Sequence, residues 1–356
     1  MPRVQAHTRE KHPDAVCELE KSDLDCPLFH AWNSHSTIHA GSNRGPMHLL
    51  RYQERSSAGL GAALTGGWKT LENQVMLARQ IQQPVREIVY RTRGRTHGPV
   101  TRLVSPSDLG EIIKPFVFLD HFDFDGRTPP APMELGWHPH SGIATVTVVF
   151  DGSIHFAETT GKAGVLPAGG VEWMRAGNGV WHTGAPEPGR VKGFQLWVAL
   201  PPELENAANA SHYVMPEEVP VQGPVRVILG AYGKAKSPIA APPMSYLAVT
   251  LEAGERWSYH PPTGHTVGWV AVLDGVLRAS PAISNGEIAI FEPSDESIDF
   301  VAEGNTRFVL GSAARHPHDL VLGNYSVHTS AETLRQGEAE IRRVGQKLRA
   351  EGILRR

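Results

Sequence analysis

Cysteine, long apolar runs and an excess of one charge are all scarce in this chain of 356 residues. Cys17 and Cys26 are its two cysteines, which gives no disulfide framework and fits a reducing compartment. No segment approaches the roughly 20 apolar residues of a membrane-spanning helix, and the first residues lack the apolar stretch of a signal peptide. The net charge of −3 gives no reason to expect a polyanionic partner. We therefore expect a soluble, cytoplasmic protein that binds neither membranes nor nucleic acids directly.

Histidines form a distinctive pattern in the middle of the sequence. His138 and His140 are two residues apart, so on a β-strand both imidazoles would point to the same face. The β-branched run at 143–150 ends at Asp151-Gly152, a dipeptide that predicts a hairpin turn, and His182 is therefore expected on a neighbouring strand. Three imidazoles with an open position suit Fe(II), Cu(II), Zn(II) or Ni(II). The alternative is that these histidines only pack or hydrogen-bond.

Short apolar segments separated by glycine turns continue through the rest of the chain, which is typical of an all-β barrel or sandwich. A second set of strands is predicted after residue 224, and Asp274-Gly275 repeats the earlier turn. His260 and His265 are separated by Pro-Pro-Thr-Gly and cannot share one strand face. We therefore expect this second unit to lack a metal. The His316-Pro-His318 sequence follows the last strand and is expected to be an ordinary polar loop.

Several motifs together point to a known family. Gly161 to Gly169 has the G-x-x-x-x-x-P-x-G spacing of the second cupin motif and follows the His-x-His of the first. With the segments 115–122, 171–182 and 193–200, these motifs resemble the pirin family over about residues 86–356. The resemblance implies two tandem cupin (double-stranded β-helix) barrels followed by a C-terminal helix. It also implies one divalent transition metal in the first barrel and none in the second.

The resemblance divides the chain into four parts. They are an N-terminal extension (1–85), a metal-binding cupin domain (86–205), a second cupin domain without metal (206–328) and a C-terminal helix (329–356). The extension shows no sustained period, so we expect it to be disordered or loosely structured. Thr329-Ser-Ala-Glu332 predicts a capping box, after which apolar residues recur on one helical face. This helix is expected to pack on a barrel.

One ligand of the family pattern is missing from this sequence. Pirins complete their metal coordination with a glutamate two residues after the third histidine, and that position is Gly184. Glu172 lies three residues after Gly169, where an ordinary cupin carries a metal-binding histidine. Our hypothesis is that Glu172 replaces the missing carboxylate, which gives His138, His140, His182 and Glu172 as the metal ligands. The alternative is that Glu172 orients a histidine or a water, with the fourth position open.

The resemblance implies two classes of function. The first is a metal-dependent dioxygenase that opens flavonols such as quercetin at the 2,3 position with O2. Fe(II) is its expected metal, with Ni, Cu or Zn as alternatives, and Glu172 is its expected catalytic base. The second is a non-enzymatic, metal- or redox-responsive regulator that binds a transcription factor or a metabolic enzyme. Trp137, Trp173 and Trp181 flank the ligands in sequence, which suits an aromatic substrate or simply a barrel core.

Overall fold

The computed structural model describes residues 86–126, 135–279 and 281–354, and the predicted extension at 1–85 lies outside the described residues. The strands of the first half are β1 (Ile88–Thr92), β2 (Arg95–His97), β3 (Val100–Val104), β4 (Phe116–Phe124), β5 (Leu135–His140), β6 (Ile143–Asp151), β7 (Ser153–Glu158), β8 (Ala163–Pro167), β9 (Val171–Arg175), β10 (Val180–Pro186) and β11 (Val191–Ala199). The helices among the described residues are α1 (Leu109–Ile113), α2 (Pro202–Glu205) and α3 (Ala331–Ala350).

The strands of the second half include the second set that the sequence predicts after residue 224. They are β12 (Ala210–Val214), β13 (Val221–Gln222), β14 (Val225–Leu229), β15 (Ala231–Tyr232), β16 (Ala235–Lys236), β17 (Met244–Leu251), β18 (Arg256–Tyr259), β19 (Val267–Asp274), β20 (Val276–Arg278), β21 (Ile283–Ser284), β22 (Ile288–Phe291), β23 (Ile298–Ala302), β24 (Thr306–Ala313), β25 (Val321–Gly323) and β26 (Ser326–His328).

Each half forms a barrel from one seven-stranded and one four-stranded sheet. The first barrel has the orders β12-β9-β6-β11-β4-β3-β2 and β5-β10-β7-β8. The second has the orders β1-β22-β19-β24-β17-β14-β13 and β18-β23-β20-β21. The small hairpins β15-β16 and β25-β26 complete the described strands. The predicted all-β architecture of two barrels and a C-terminal helix is confirmed.

The two barrels exchange one edge strand in each direction. The first strand, β1, pairs with β22 of the second barrel, and β12 pairs with β9 of the first. Both strands therefore lie in the sheet of the opposite half of the sequence. The expected domain boundary at residue 206 stays a prediction. Two strands, β1 and β12, pair with strands on the other side of that boundary.

The Asp-Gly turns differ from expectation. Gly152 has φ +74°, as such a turn requires, but β6 lies in the seven-stranded sheet and β7 in the four-stranded sheet. The hairpin prediction at Asp151-Gly152 was therefore wrong. The glycine lets the chain turn a sharp corner, but it does not determine whether the flanking strands pair. Asp274-Gly275 connects β19 and β20 in the same way.

Two large apolar cores hold the molecule together. One lies between the two seven-stranded sheets and includes Trp173 and Leu196 from the first barrel and Trp269 and Val309 from the second. The other fills the interior of the second barrel and contains Leu247, Trp257, Phe300 and other side chains of both its sheets. The first barrel also buries polar side chains, among them Asp120, Thr147 and Glu172.

The C-terminal helix packs against the first barrel. Its N-cap is Ser330, whose hydroxyl accepts a hydrogen bond from the Thr333 amide at 3.2 Å, so the helix begins one residue later than the predicted box. Thr329 instead donates its amide and hydroxyl to Glu205. The predicted apolar face includes the buried Ile341 and Leu348, with Gly337 and Gly345 also buried. The small glycines allow the helix to approach the barrel closely.

Candidate metal centre

Two paired strands bring the three histidines together. In the antiparallel register of β5 and β10, His182 lies opposite His138, and Val180 lies opposite His140. Residues directly opposite on such a pair point to the same face, and residues two apart on one strand do so as well. The expected placement of the third histidine on a neighbouring strand is therefore what the structure has.

The three imidazoles form a compact cluster. Their ring centroids are 4.3 Å apart for His138 and His182, 5.0 Å for His140 and His182, and 5.1 Å for His138 and His140. One ring nitrogen from each lies within 4.8 Å of the other two. Among the described residues, this is the one group of three or more potential ligands with that spacing.

Hydrogen bonds determine which ring nitrogens can bind an ion. His138 Nδ1 is 2.8 Å from the carbonyl of Gly136, and His140 Nδ1 is 3.0 Å from the carbonyl of Tyr325. Because a carbonyl can only accept, each Nδ1 carries the proton and each Nε2 keeps its lone pair. Nε2 of His182 is buried and has no hydrogen-bond partner among the described residues.

The donor set fits a borderline transition metal. Burial lowers the pKa of all three histidines, and the neighbouring imidazoles lower the pKa values of His140 and His182 further. The rings are therefore neutral at pH 7, as metal ligation requires. An unpartnered buried nitrogen is costly unless an ion or water satisfies it. Three neutral imidazoles suit Fe, Ni, Cu or Zn better than Mg or Ca.

Glu172 lies beside this cluster, next to one of its histidines. The residue is 5% exposed, and its carboxylate accepts hydrogen bonds from the hydroxyls of Thr147 and, at 3.5 Å, of Tyr213. One carboxylate oxygen is 3.8 Å from Nδ1 of His182, and burial raises the pKa of Glu172 to about 7. The carboxylate thus lies beside Nδ1 of His182, whereas Nε2 is the nitrogen available to an ion. This position favours a role in orienting the His182 ring. Direct ligation by Glu172 stays a prediction.

Thr147 links Glu172 to Gln195, which lies opposite Thr147 on the neighbouring strand β11. Its hydroxyl oxygen contacts both the Glu172 carboxylate and, at 2.7 Å, the amide oxygen assigned to Gln195. One hydroxyl proton cannot be donated to two acceptors. The conflict disappears if the Gln195 amide is turned over, so that its nitrogen donates to Thr147 and Thr147 donates to Glu172. The turned amide also gives a partner to the Gln195 nitrogen, which otherwise has none.

Gly184 stands where the family pattern has its glutamate. A Cβ built on Gly184 would come no closer than 3.6 Å to its nearest neighbour, a methyl group of Ile154. That is an ordinary van der Waals distance, so the backbone here has room for a side chain. The sheet register between β5 and β10 also shifts between His182 and Gly184.

Two of the tryptophans that flank the ligands in sequence, and three further histidines, lie elsewhere. Trp173 belongs to the apolar core between the barrels, and the Trp181 indole donates to the Ile341 carbonyl at 2.9 Å. His121 contacts Phe194 of that same core, on the opposite face of β4 from Asp120, and burial lowers its pKa to about 4. His316 and His318 belong to no group of three ligands in the described chain.

Sequence reasoning missed two features of the site. Arg102 and Asp120 form a buried ion pair inside the first barrel, and the guanidinium lies 3.8 Å from the centre of the Phe118 ring. Strand alternation could have indicated this inward position for Asp120. The Tyr325 carbonyl that holds His140 comes from 185 residues further along the chain, and no local pattern indicates it.

Comparisons with known proteins agree with this arrangement. The sequence pattern of the family described as Pirin matches residues 98–198, which include all three histidines. A pirin-like protein of Caulobacter vibrioides is 30% identical over 64% of this chain and 87% of its own length. The chain belongs to the pirin family. A Pseudomonas aeruginosa relative, which is named provisionally as a quercetin 2,3-dioxygenase, is 31% identical over 60% of this chain and 79% of its own.

Solved structures show the same fold. This pirin is similar to a quercetin 2,3-dioxygenase from Acinetobacter baumannii, with a TM-score of 0.67 and 23% identity over 73% of this chain and 97% of that one. It is also similar to a bacterial pirin from Escherichia coli in complex with nickel(II), with a TM-score of 0.52 and 18% identity over 65% and 98% of the two chains. None of the helices that the structure describes is long and apolar enough to cross a membrane.

Proposed function

We propose that the first barrel binds one divalent transition metal through His138, His140 and His182, and that the protein is a dioxygenase opening flavonols such as quercetin at the 2,3 position. The observation that carries this proposal is the cluster of three neutral imidazoles within 4.8 Å. Relatives support the chemistry, since one is named for this activity and another is a pirin in complex with nickel(II). Fe(II) stays the expected metal, with Ni, Cu and Zn as the alternatives.

The side chains around the site have separate tasks in this proposal. A bound ion would act as a Lewis acid and lower the pKa of a substrate hydroxyl. The backbone carbonyls at Gly136 and Tyr325 keep the Nε2 atoms of two histidines unprotonated. Glu172 orients His182 through its Nδ1, and its second predicted role is to accept the proton from the substrate hydroxyl. The non-enzymatic regulator stays an alternative prediction.

The decisive experiment combines metal analysis with O2 uptake. Protein purified without a metal-chelating resin should contain near-stoichiometric metal and consume O2 in proportion to added quercetin with turnover. His138→Ala should lose both. His155→Ala is the matched control, because His155 lies on β7 of the same sheet with a 58% exposed side chain, and it should lose neither. Metal without turnover would contradict the dioxygenase and favour the regulator, and wild-type protein without metal would contradict both.

The open position at Gly184 allows a test by gain of a ligand. Gly184→Glu should place a carboxylate where the family pattern has one, since the backbone has room for a side chain. If the fourth coordination position is open, metal affinity should rise by about tenfold or more. Gly184→Gln, which is nearly the same size but uncharged, is the matched control and should raise it much less. If neither variant changes affinity, an existing ligand such as Glu172 already fills the fourth position.

A further inference from the structure

The C-terminal segment, defined here as residues 321–350 with the hairpin β25-β26 and helix α3, lies against the predicted metal centre. This segment follows the second barrel in sequence, yet its hairpin contacts the first. The carbonyl of Tyr325, at the turn of the hairpin, accepts the Nδ1 proton of His140 at 3.0 Å. The Tyr325 ring centroid is 5.9 Å from that of His138 and 6.1 Å from that of His140.

Tyr325 has a backbone conformation that side chains rarely adopt. Its φ is +60°, and among the described residues it is the one non-glycine with positive φ. An aromatic residue in this region is an outlier that persists only when its surroundings enforce it. The conformation allows the Tyr325 carbonyl to reach His140 while the ring, with the residue 6% exposed overall, remains buried.

A buried hydrogen-bond cluster fixes the hairpin to the residue after His140. The Ser141 hydroxyl is 2.9 Å from both the Ser326 hydroxyl and Nε2 of His328. His328 Nδ1 lies 3.5 Å from the carboxylate of Glu205, which also accepts two hydrogen bonds from Thr329. Ser141, Glu205 and His328 are each at most 1% exposed. No substrate can reach this Ser-His-Glu arrangement, so its role is to hold β26 against β6.

Helix α3 reaches the neighbour of a second histidine. The Trp181 indole donates to the Ile341 carbonyl at 2.9 Å, and a Cβ on Gly345 would come within 2.7 Å of the indole ring. Trp181 directly precedes His182. The C-terminal segment therefore contacts both strands that carry the histidines.

We propose that Tyr325 is a positioning residue for the metal centre. Its backbone carbonyl, held by the positive φ, fixes the His140 tautomer and points Nε2 towards the ion. This inference rests on the proposed metal site. A residue that orients a metal ligand in this way typically contributes about 10- to 100-fold to metal affinity.

The test compares two substitutions at the same position. Tyr325→Val introduces a β-branched residue that resists positive φ, so it should displace the carbonyl and weaken Zn(II) or Ni(II) binding about tenfold. Tyr325→Gly also removes the ring but adopts positive φ freely, and it should keep the affinity within about threefold. Leu322→Ala, at an exposed position on the same hairpin, is the second control and should have no effect.

A direct reading of the tautomer keeps the inference separate from metal binding. In metal-free protein, ¹⁵N-¹H correlation spectra should show the proton of His140 on Nδ1 in the wild type and in Tyr325→Gly, and a loss of that preference in Tyr325→Val. If Tyr325→Val does not fold, Ser326→Ala, which removes one bond of the cluster, should show a smaller change in the same direction. Unchanged tautomers and affinities in both variants would overturn the inference. Wild-type protein that binds no metal would overturn the proposed site instead, and the apo spectra would still decide the role of Tyr325.

Discussion

The two barrels differ along one row of interior residues and at the histidine positions, although their sheets correspond strand by strand. Equivalent positions follow from the register, because Lys192 opposes Asp151 at one Asp-Gly turn as Arg307 opposes Asp274 at the other. One row of facing residues crosses the first large sheet: Arg102, Asp120, Gln195, Thr147 and Glu172. The equivalent row crosses the second: Val227, Leu247, Leu310, Val270 and Ala289. Each polar residue of the first row thus corresponds to an aliphatic residue.

The histidines have aromatic counterparts. The equivalent strands of the second barrel are β18 and β23. We match the pair Trp257 and Phe300 with His138 and His182, and the pair Tyr259 and Ile298 with His140 and Val180. His138, His140 and His182 therefore correspond to Trp257, Tyr259 and Phe300, all of which belong to the apolar core of the second barrel.

The same barrel backbone can therefore hold either an apolar core or a cluster of buried polar residues. In the second barrel the aromatic and aliphatic side chains fill the interior, and their burial stabilises the fold. In the first barrel the polar row begins at the Arg102-Asp120 ion pair. Further along the row Thr147 contacts both Gln195 and Glu172, and the Glu172 carboxylate lies 3.8 Å from Nδ1 of His182. Buried polar groups stabilise little by themselves. Their expected value here is that they hold the histidines in a fixed geometry.

The largest effect is expected when a residue of the metal centre is replaced by its counterpart in the second barrel. His182→Phe places the counterpart of Phe300 in the histidine cluster and should lower metal affinity at least about 100-fold, because losing a ligand exceeds the usual effect of losing an orienting residue. Circular dichroism should show an unchanged fold, since the second barrel accepts phenylalanine at this position. The measurement is metal titration of the apo protein, with His155→Phe as the exposed control. A variant that still binds metal like the wild type would refute the assignment of His182.

The buried ion pair between Arg102 and Asp120 can be replaced by the aliphatic residues that occupy the equivalent positions of the second barrel. Asp120→Ala removes the carboxylate that pairs with the buried Arg102 guanidinium and should lower the free energy of unfolding by about 3–5 kcal/mol. The double variant Arg102→Val with Asp120→Leu copies Val227 and Leu247, and it should regain most of that loss, because apolar pairs often replace buried ion pairs at little cost. Chemical denaturation of metal-free protein measures both effects. A double variant as unstable as Asp120→Ala would show that the first interior cannot accept an apolar row.

Glu172 should make the stability of the protein depend on pH, which its counterpart Ala289 in the second barrel cannot do. Burial raises the pKa of Glu172 in the folded metal-free protein to about 7 from an ordinary value of 4.5. A raised carboxyl pKa favours folding at low pH, and this contribution is lost as pH rises from about 4.5 through about 7. Over that window the wild type should lose about 3 kcal/mol relative to Glu172→Gln. Parallel stability curves for the two proteins would contradict the burial of an ionisable carboxyl at this position.

Local patterns in the sequence predicted the elements and the histidines well. The spacing of His138 and His140 indicates one strand face, and the alternation of β-branched residues indicates the strands, since both patterns depend on neighbours in the chain. The Asp-Gly corner was predicted as a hairpin because turn chemistry does not state which sheet the next strand joins. The Tyr325 carbonyl and the exchange of β1 depend on contacts between distant segments, and a single sequence carries no signal for them.

The most direct test of the difference between the barrels is an anomalous diffraction map of crystals grown with Ni(II) or Zn(II), recorded at the absorption edge of the metal. We predict one strong peak between His138, His140 and His182, and none near Trp257, Tyr259 and Phe300. The same map would show whether Glu172 bonds to the ion or only to His182. A map with no peak at the histidines, or with its main peak in the second barrel, would contradict the account.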